Sequence, residues 1–361
     1  MRDTGVAIDG PRLAPLVANY QAADLVIGQP DFLTNADRGI SARSFSPDGI
    51  TFAEGHLWAT DWGRHRVLGW ASPTATDASA TIVLGQTSFD TGAATNASGT
   101  TLLQPLDVVA IEGYVAVADG YSRVLIWNRR PTGVAAAANL VLGQPDFLSS
   151  APGLGAAELR NPSGVWTDGS RLLVRGGEQT FHLWSWNQFP MSLGEPADQV
   201  LVGGLQVNAA EFASTGTAIV DKDRLILTDP LRNRILIWNT VPATTGIPAD
   251  LVLGQASFSS SSPGTTAGGM SRPTDVLVHD GALFVADSDN DRVLVFDPFP
   301  TTSGATATQV LGQADLDVVV TDAATTSRSL NGPRGLATDG RHLYVADREN
   351  RRIVRYAFGG Q

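Results

Sequence analysis

The chain has 361 residues and an acidic balance, with 25 Lys and Arg against 36 Asp and Glu and a formal net charge of −11. That balance argues against a nucleic acid partner, because affinity for a phosphate backbone comes largely from Lys and Arg. Cysteine is absent, which excludes disulfides, thiolate catalysis and Cys-ligated zinc, and no apolar run approaches the ~20 residues of a membrane-spanning helix.

The first twenty residues stand apart from the rest of the chain. Residues 5–13 resemble residues 335–343, but about a strand and a half of the later unit is missing after them. We predict that residues 1–20 are a decayed repeat that forms an N-terminal flap. The N-terminus shows no signal-peptide core. We expect residues 21–361 to form a single domain, because the repeats run end to end.

A short phrase of apolar, mostly β-branched residues ending in glycine occurs six times from residue 25 onwards. The glycines recur at intervals of about 50–60 residues, a period typical of repeat architectures. They are Gly28, Gly85, Gly143, Gly203, Gly254 and Gly312.

Each unit contains three further strand-like runs. In the fifth unit they cover residues 275–279, 283–287 and 292–296, and the glycine phrase follows as a fourth. Runs of β-branched and aromatic residues between Gly, Asp and Asn clusters indicate antiparallel strands. Six units of four strands predict an all-β fold, a six-bladed β-propeller. The last unit supplies three strands, so we expect residues 24–28 to close its blade as the outer strand.

Two stretches resemble NHL repeats. They read Val-Ala-Asp-Ser-Asp-Asn-Asp-Arg-Val-Leu-Val-Phe at 285–296 and Tyr-Val-Ala-Asp-Arg-Glu-Asn-Arg-Arg-Ile at 344–353. The Val-Leu-Gly-Gln-Pro-Asp-Phe phrase is similar to that of bacterial, often extracytoplasmic, NHL-repeat proteins. The resemblance implies a propeller in a periplasmic or secreted location. It leaves activity open, because such propellers bind proteins, nucleic acids or small ligands, and some are lyases or hydrolases.

Five units carry an Asp and an Arg on either side of the turn between their second and third strands. Five near-copies favour a structural role, with the carboxylate accepting turn N–H groups and the Arg reaching the next blade. The third unit departs, because Gly176 stands at the Asp position and His182 near the Arg position. The candidate binding residues are therefore Arg175, Glu178 and His182, in a notch on the face of the propeller that carries the hairpins. The alternative is drift in one blade.

The innermost strands should bring two carboxylates to the axis. Asp107 and Asp275 begin these strands in the second and fifth units, which are opposite in a ring of six. Oxygen ligands from separate blades would suit Ca²⁺ or Mg²⁺, so both are candidate metal ligands. The alternative is capping of local N–H groups or plain contact with water. Asp48 and Arg334 occupy the adjacent position in neighbouring units and are expected to form an ion pair.

Two classes of function remain open. A binding or scaffold propeller would engage a small molecule or a protein on the face that carries the long Ser, Thr and Gly loops. Trp62, in a hairpin on that face, is the candidate exposed aromatic residue. The alternative is a metal-dependent lyase or hydrolase at the mouth of the central channel. No catalytic motif identifies catalytic residues. We expect a monomer.

Overall fold

The computed structural model describes residues 15–178, 180–213, 216–321 and 324–359. Over these ranges the chain is all-β, with three short 3-10 turns at Trp62–Arg64, Pro230–Arg232 and Ser288–Asn290. The described residues contain no helix that is long and apolar enough to cross a membrane. Most of the predicted flap, residues 1–14, lies outside the described residues.

Six four-stranded antiparallel sheets form the blades of a ring. Blade 1 consists of β2 (Pro47–Ala53), β3 (His56–Asp61), β4 (Arg66–Ala71) and β5 (Ile82–Leu84). Blade 2 consists of β6 (Asp107–Ile111), β7 (Tyr114–Asp119), β8 (Arg123–Trp127) and β9 (Leu140–Leu142). Blade 3 consists of β10 (Gly164–Thr167), β11 (Leu172–Gly177), β12 (Phe181–Trp186) and β13 (Gln199–Val202). Blade 4 consists of β14 (Ala218–Asp221), β15 (Arg224–Asp229), β16 (Arg234–Trp238) and β17 (Leu251–Leu253). Blade 5 consists of β18 (Pro273–His279), β19 (Ala282–Asp287), β20 (Arg292–Phe296) and β21 (Gln309–Leu311). Blade 6 consists of β22 (Pro333–Thr338), β23 (His342–Asp347), β24 (Arg352–Ala357) and β1 (Leu25–Ile27).

The predicted closure of the ring is confirmed. Strand β1 pairs antiparallel with β24, with Val26 opposite Val354. The innermost strands contact one another in cyclic order, and β22 contacts β2. Each of six hydrophobic clusters lies between two adjacent blades, so both faces of every sheet are apolar. This is why the strands do not alternate strictly between apolar and polar residues.

Residues 15–23 run along the outer edge of blade 5. The Tyr20 N–H donates to the Val310 carbonyl oxygen at 2.9 Å, and the Val310 N–H donates to the Asn19 side chain at 2.9 Å. In the other blades the outer strand is covered by the connection between the third and fourth strands of the next blade. Gly194, for example, donates its N–H to the Val141 oxygen at 2.8 Å. Residues 15–23 therefore occupy the place of that connection in blade 6.

The repeated glycine phrase joins each outer strand to a hairpin. Gly28 has a φ of +95°, and a Cβ there would lie 2.9 Å from the Arg351 carbonyl oxygen, so only glycine fits without strain. The following Gln29 donates its amide N–H to the oxygens of Arg351 and Ala36 at 3.3 and 2.9 Å. The same pattern recurs at Gln86, Gln144, Gln255 and Gln313. The phrase thus attaches a long loop to the hairpin beside it.

The Asp and Arg residues of five hairpins form buried ion pairs, which confirms their structural role. In blade 6 the Arg352 Nε lies 2.7 Å from the Asp347 Oδ2, and both side chains are fully buried. The other Asp347 oxygen accepts the Asn331 N–H at 2.7 Å. Arg352 also donates to the Phe32 and Ser329 oxygens at 2.8 and 2.9 Å. One arginine therefore joins the loops before and after its blade. The remaining pairs are Asp61–Arg66, Asp119–Arg123, Asp229–Arg234 and Asp287–Arg292.

We expect Arg352→Met to destabilise the ring strongly. The change leaves the Asp347 carboxylate buried without its cation, and removal of one partner of a buried pair costs about 3–5 kcal/mol. Denaturant unfolding measures the loss of unfolding free energy. The exposed Arg341 of the same blade provides the control. Arg341→Met should change the free energy of unfolding by less than about 0.5 kcal/mol. Equal losses in the two variants would contradict the role of the pair.

Candidate functional site

Two cavities lie on the axis of the ring and share three lining residues. The first residues of the innermost strands line a cavity of about 260 Å³ that opens on the face of the long loops. Later residues of the same strands line a cavity of about 290 Å³ on the opposite face. Asp107, Thr217 and Asp275 line both cavities.

Asp107 and Asp275 each link two blades. The Asp107 Oδ1 accepts the N–H of Val108, and its Oδ2 accepts the N–H of Val165 in blade 3, both at 2.9 Å. In the same way the Asp275 Oδ1 accepts the Val276 N–H at 2.8 Å, and its Oδ2 accepts the Leu336 N–H of blade 6 at 2.6 Å. Both carboxylates therefore cap backbone N–H groups, which leaves the metal prediction untested.

The two carboxyl groups hold their protons more strongly than exposed aspartates do. Burial, with a further contribution from the charge of Asp275, raises the pKa of Asp107 to about 7. Burial also raises the pKa of Asp275 to about 6, against the Thr217 hydroxyl and two N–H donors, which favour the ionised form. Both groups therefore titrate close to neutral pH.

Arg175 reaches the axis from the second strand of blade 3. Gly164 lies opposite it on the innermost strand, and a Cβ on Gly164 would collide with the guanidinium group. The arginine therefore crosses the innermost strand only because that residue has no side chain. Arg175 is 5% exposed, and its Nη1 has no hydrogen-bond partner among the described residues. Burial lowers its pKa to about 10, although Asp107 and Asp275 favour the charged form.

The other blades have small residues at the register position of Arg175. Ala118 pairs with Asp107, and Ala286 pairs with Asp275. Thr60, Thr228 and Ala346 occupy the same position in blades 1, 4 and 6. Blade 3 therefore differs in the second-strand residue, a long cation, while its inner glycine also occurs in blades 1 and 6 as Gly49 and Gly335. The arginine at this register position, opposite a glycine, is the signal in the sequence that places Arg175 at the axis.

The structure does not bring Arg175 together with Glu178 and His182. Arg175 pairs with Leu183 and His182 with Gly176, so the two side chains leave opposite faces of the sheet. His182 is buried and stacks on Trp184, with ring centroids 5.2 Å apart. The exposed Glu178 carboxylate lies 3.6 Å from the Arg160 guanidinium.

No carboxylate can replace Gly176 without a shift of the neighbouring loop. A Cβ at Gly176 would lie 2.6 Å from the Arg160 oxygen and 2.9 Å from the Asn161 oxygen. The loop has filled the space that an aspartate occupies in the other blades. Blade 3 has thus lost the hairpin ion pair while gaining an axial arginine.

The expected pair of Asp48 and Arg334 is wrong. Asp48 lies 3.0 Å from the Arg348 Nε, because Arg348 extends from the hairpin of blade 6 over the same edge. Arg334 lines the long-loop cavity, and its Nε has no hydrogen-bond partner within the described ranges. Arg334 forms no ion pair within those ranges, although the charges of Asp48 and Glu349 favour its charged form.

Trp62 lies in the 3-10 turn of the blade 1 hairpin, on the long-loop face, with 37% of its surface exposed. It does not line the axial cavity. Of the predicted binding and metal residues, the structure therefore places Arg175, Asp107 and Asp275 together and leaves Trp62, Glu178 and His182 elsewhere.

The axial carboxylates do not form a larger ligand cluster. No group of three or more His, Cys, Asp or Glu residues within the described part of the chain is arranged to hold a metal ion. The Arg175 charge beside both carboxylates also acts against a divalent cation. Asp107 and Asp275 remain the only residues for which we predicted a metal, and that prediction stays open to measurement.

These observations define a β-propeller with a charged cavity on its axis. The family model described as NHL repeat matches residues 330–356, which include β22, β23 and most of β24. This match and the six four-stranded blades support an NHL-repeat β-propeller.

One solved structure similar to this chain is the crystal structure of the computationally designed Ika8 protein, in crystal packing No. 1 in P63. The similarity covers 88% of this chain and 98% of that chain, with 8% sequence identity and a TM-score of 0.45. Comparison with the curated proteins gives no match.

We expect Asp107→Asn to flatten the pH dependence of stability. The folded pKa of Asp107 lies above its unfolded value, so the protonated group stabilises the fold at low pH and that contribution is lost as the pH rises through about 7. The free energy of unfolding of the wild type should fall by about 2 kcal/mol more than that of the variant between pH 5 and pH 8. Urea unfolding at both pH values measures the difference.

Asp223→Asn is the control, because Asp223 is exposed in a turn of blade 4. It should keep the pH dependence of the wild type. A slope in Asp107→Asn that equals the wild-type slope would contradict the protonation of Asp107 at neutral pH.

Proposed function

We propose that this protein is a binding propeller that takes its ligand in the axial cavity of the long-loop face. The fold of an NHL-repeat propeller supports a binding or scaffold role in general. The observation that carries the more specific proposal is the Arg175 guanidinium, which is buried in the wall of that cavity without a hydrogen-bond partner for Nη1.

The composition of the cavity supports a small polar ligand. Residues from all six blades line it, and six of them are charged. Its volume of about 260 Å³ lies just below the ~300–1,000 Å³ typical of pockets for drug-sized ligands. The charged lining residues are Asp48, Asp107, Arg175, Arg272, Asp275 and Arg334.

The long loops around the mouth support access by a partner on this face. They are held to the blades by the hairpin arginines and the phrase glutamines, so the mouth is preorganised. Exposed Trp62 offers an aromatic contact outside the cavity for a protein partner. A periplasmic or secreted location and a monomeric state remain predictions of the sequence.

We expect Ser163→Trp to abolish ligand binding. Ser163 lines the cavity, and an indole at this position would fill the space that the ligand needs. Thermal shift with a panel of small metabolites would find ligands of the wild-type protein, and calorimetry would then compare the variants. Ser192→Trp, at an exposed position in the connection between β12 and β13, should bind as the wild type does. Binding that survives in Ser163→Trp would place the ligand outside the axial cavity.

The metal-dependent lyase or hydrolase remains the alternative, with Ca²⁺ or Mg²⁺ held by Asp107 and Asp275. It predicts one metal ion per chain after purification and a thermal shift with Ca²⁺, Mg²⁺ or Mn²⁺ that Asp107→Asn removes. Elemental analysis and thermal shift with the metal salts alone test it. If neither effect is observed, the metal-dependent lyase or hydrolase is rejected and the binding proposal is unchanged.

A further inference from the structure

We infer that the ligand of the axial cavity is a small carboxylate that also carries a hydroxyl or ammonium group. This inference rests on the proposed function and assigns the chemical class of the ligand. Arg175 and Arg334 would receive the carboxylate end, and Asp107 and Asp275 the hydrogen-bond donors of the other end.

The positive side of the site is built from two guanidinium groups that form no ion pair with a carboxylate among the described residues. Arg175 is 5% exposed and lacks a partner for Nη1, and Arg334 lacks one for Nε, among the described residues. Burial lowers the pKa of both arginines, because the charged guanidinium group loses hydration. A guanidinium matches the planar geometry of a carboxylate and binds it through two parallel hydrogen bonds.

The remaining arginine of the cavity is already engaged. Arg272 lies 3.6 Å from Asp289, and both side chains are about half exposed. Asp48 is likewise engaged by Arg348 at 3.0 Å. The charges left for a ligand are therefore those of Arg175 and Arg334 on one side and the two axial carboxyl groups on the other.

The axial carboxyl groups argue against a multiply charged anion. A phosphate dianion in a cavity of this size would meet Asp107 and Asp275 as well as the arginines, and like charges at short range repel. A ligand with one carboxylate avoids this repulsion. Its hydroxyl or ammonium group can donate to carboxylate oxygens, which keep a free lone pair beside each N–H bond that they accept.

The long residue of blade 3 supports a ligand role over a packing role for Arg175. Five blades fill the corresponding position with Ala or Thr, so the ring does not need a long side chain there. A buried guanidinium without a partner costs stability in the free protein. Residues that break a local rule of the fold at such a cost are expected at functional sites.

Calorimetry with four probes tests the assignment. Glycerate and serine carry both required groups, glycerol lacks the carboxylate, and inorganic phosphate is a multiply charged anion. We expect glycerate or serine to bind wild-type protein at least tenfold more tightly than glycerol and phosphate. Arg175→Leu should weaken that binding at least tenfold, and Arg175→Lys should weaken it less. The exposed Arg341 provides the control variant Arg341→Leu, which should bind as the wild type does.

Gly164→Ala supplies a second variant that keeps every charge. Its added methyl would collide with the Arg175 guanidinium and displace it from the axis, so it should also weaken carboxylate binding at least tenfold. Thermal unfolding at pH 5, where both axial carboxyl groups carry protons, gives a readout that needs no ligand. Arg175→Leu should melt no lower than the wild type there, because it removes a buried charge without a partner.

Two results would overturn the assignment. The first is binding of glycerol or phosphate as tight as that of the carboxylates, or carboxylate binding that Arg175→Leu leaves unchanged. If Ser163→Trp then still abolished binding, the axial cavity would remain the site and only the ligand class would be wrong. The second is a melting temperature of Arg175→Leu several degrees below that of the wild type at pH 5, which would make Arg175 a packing residue.

Discussion

The buried pair of an aspartate and an arginine in the hairpin is the interaction on which the ring depends. In blade 6 one Asp347 oxygen receives the N–H of the residue that leads into the innermost strand, and the other receives Arg352. The arginine then bonds to carbonyl oxygens of the loops before and after the blade. One buried ion pair thus connects the hairpin, the inner strand and both loops. Removal of either charge alone would leave the other charge unpaired in an apolar environment. Five blades repeat this arrangement, so the loop face is held to the blades at regular intervals.

The fold followed from the sequence because its signals are local and repeated. The phrase around Gly28 predicted an outer strand, and the three strands of the last unit required residues 24–28 to complete the blade. The axial site was predicted in part. Asp107 and Asp275 follow from their position at the start of the innermost strands, whereas the sequence pattern places Arg175 with its neighbours on the hairpin. A strand sends successive side chains to opposite faces, and that alternation separates Arg175 from His182.

Some contacts depend on three-dimensional details that no repeat alignment contains. Asp48 and Arg334 occupy matching positions, but Arg348 approaches Asp48 from a hairpin and takes the place expected for Arg334. Gly176 marked a lost aspartate in the sequence, although only the structure shows that the 160–162 loop has moved into the vacant space. Blade 3 therefore combines two departures, a hairpin without its ion pair and an axis with an added cation. The glycine at position 164 leaves room for Arg175, which explains how one blade changes its chemistry while the ring keeps its geometry.

The outer strands of the six blades are covered, and this limits how the protein can recognise a partner. Every outer strand receives hydrogen bonds from a turn of the next blade, and residues 15–23 supply them for blade 5. Among the described residues, at least one residue of each outer strand is thus already engaged, so an incoming extended peptide finds few free amide and carbonyl groups with which to lengthen a sheet. Recognition by strand addition, a frequent mode among β proteins, is blocked along the circumference. Selectivity must then arise from side chains at the two mouths of the axis.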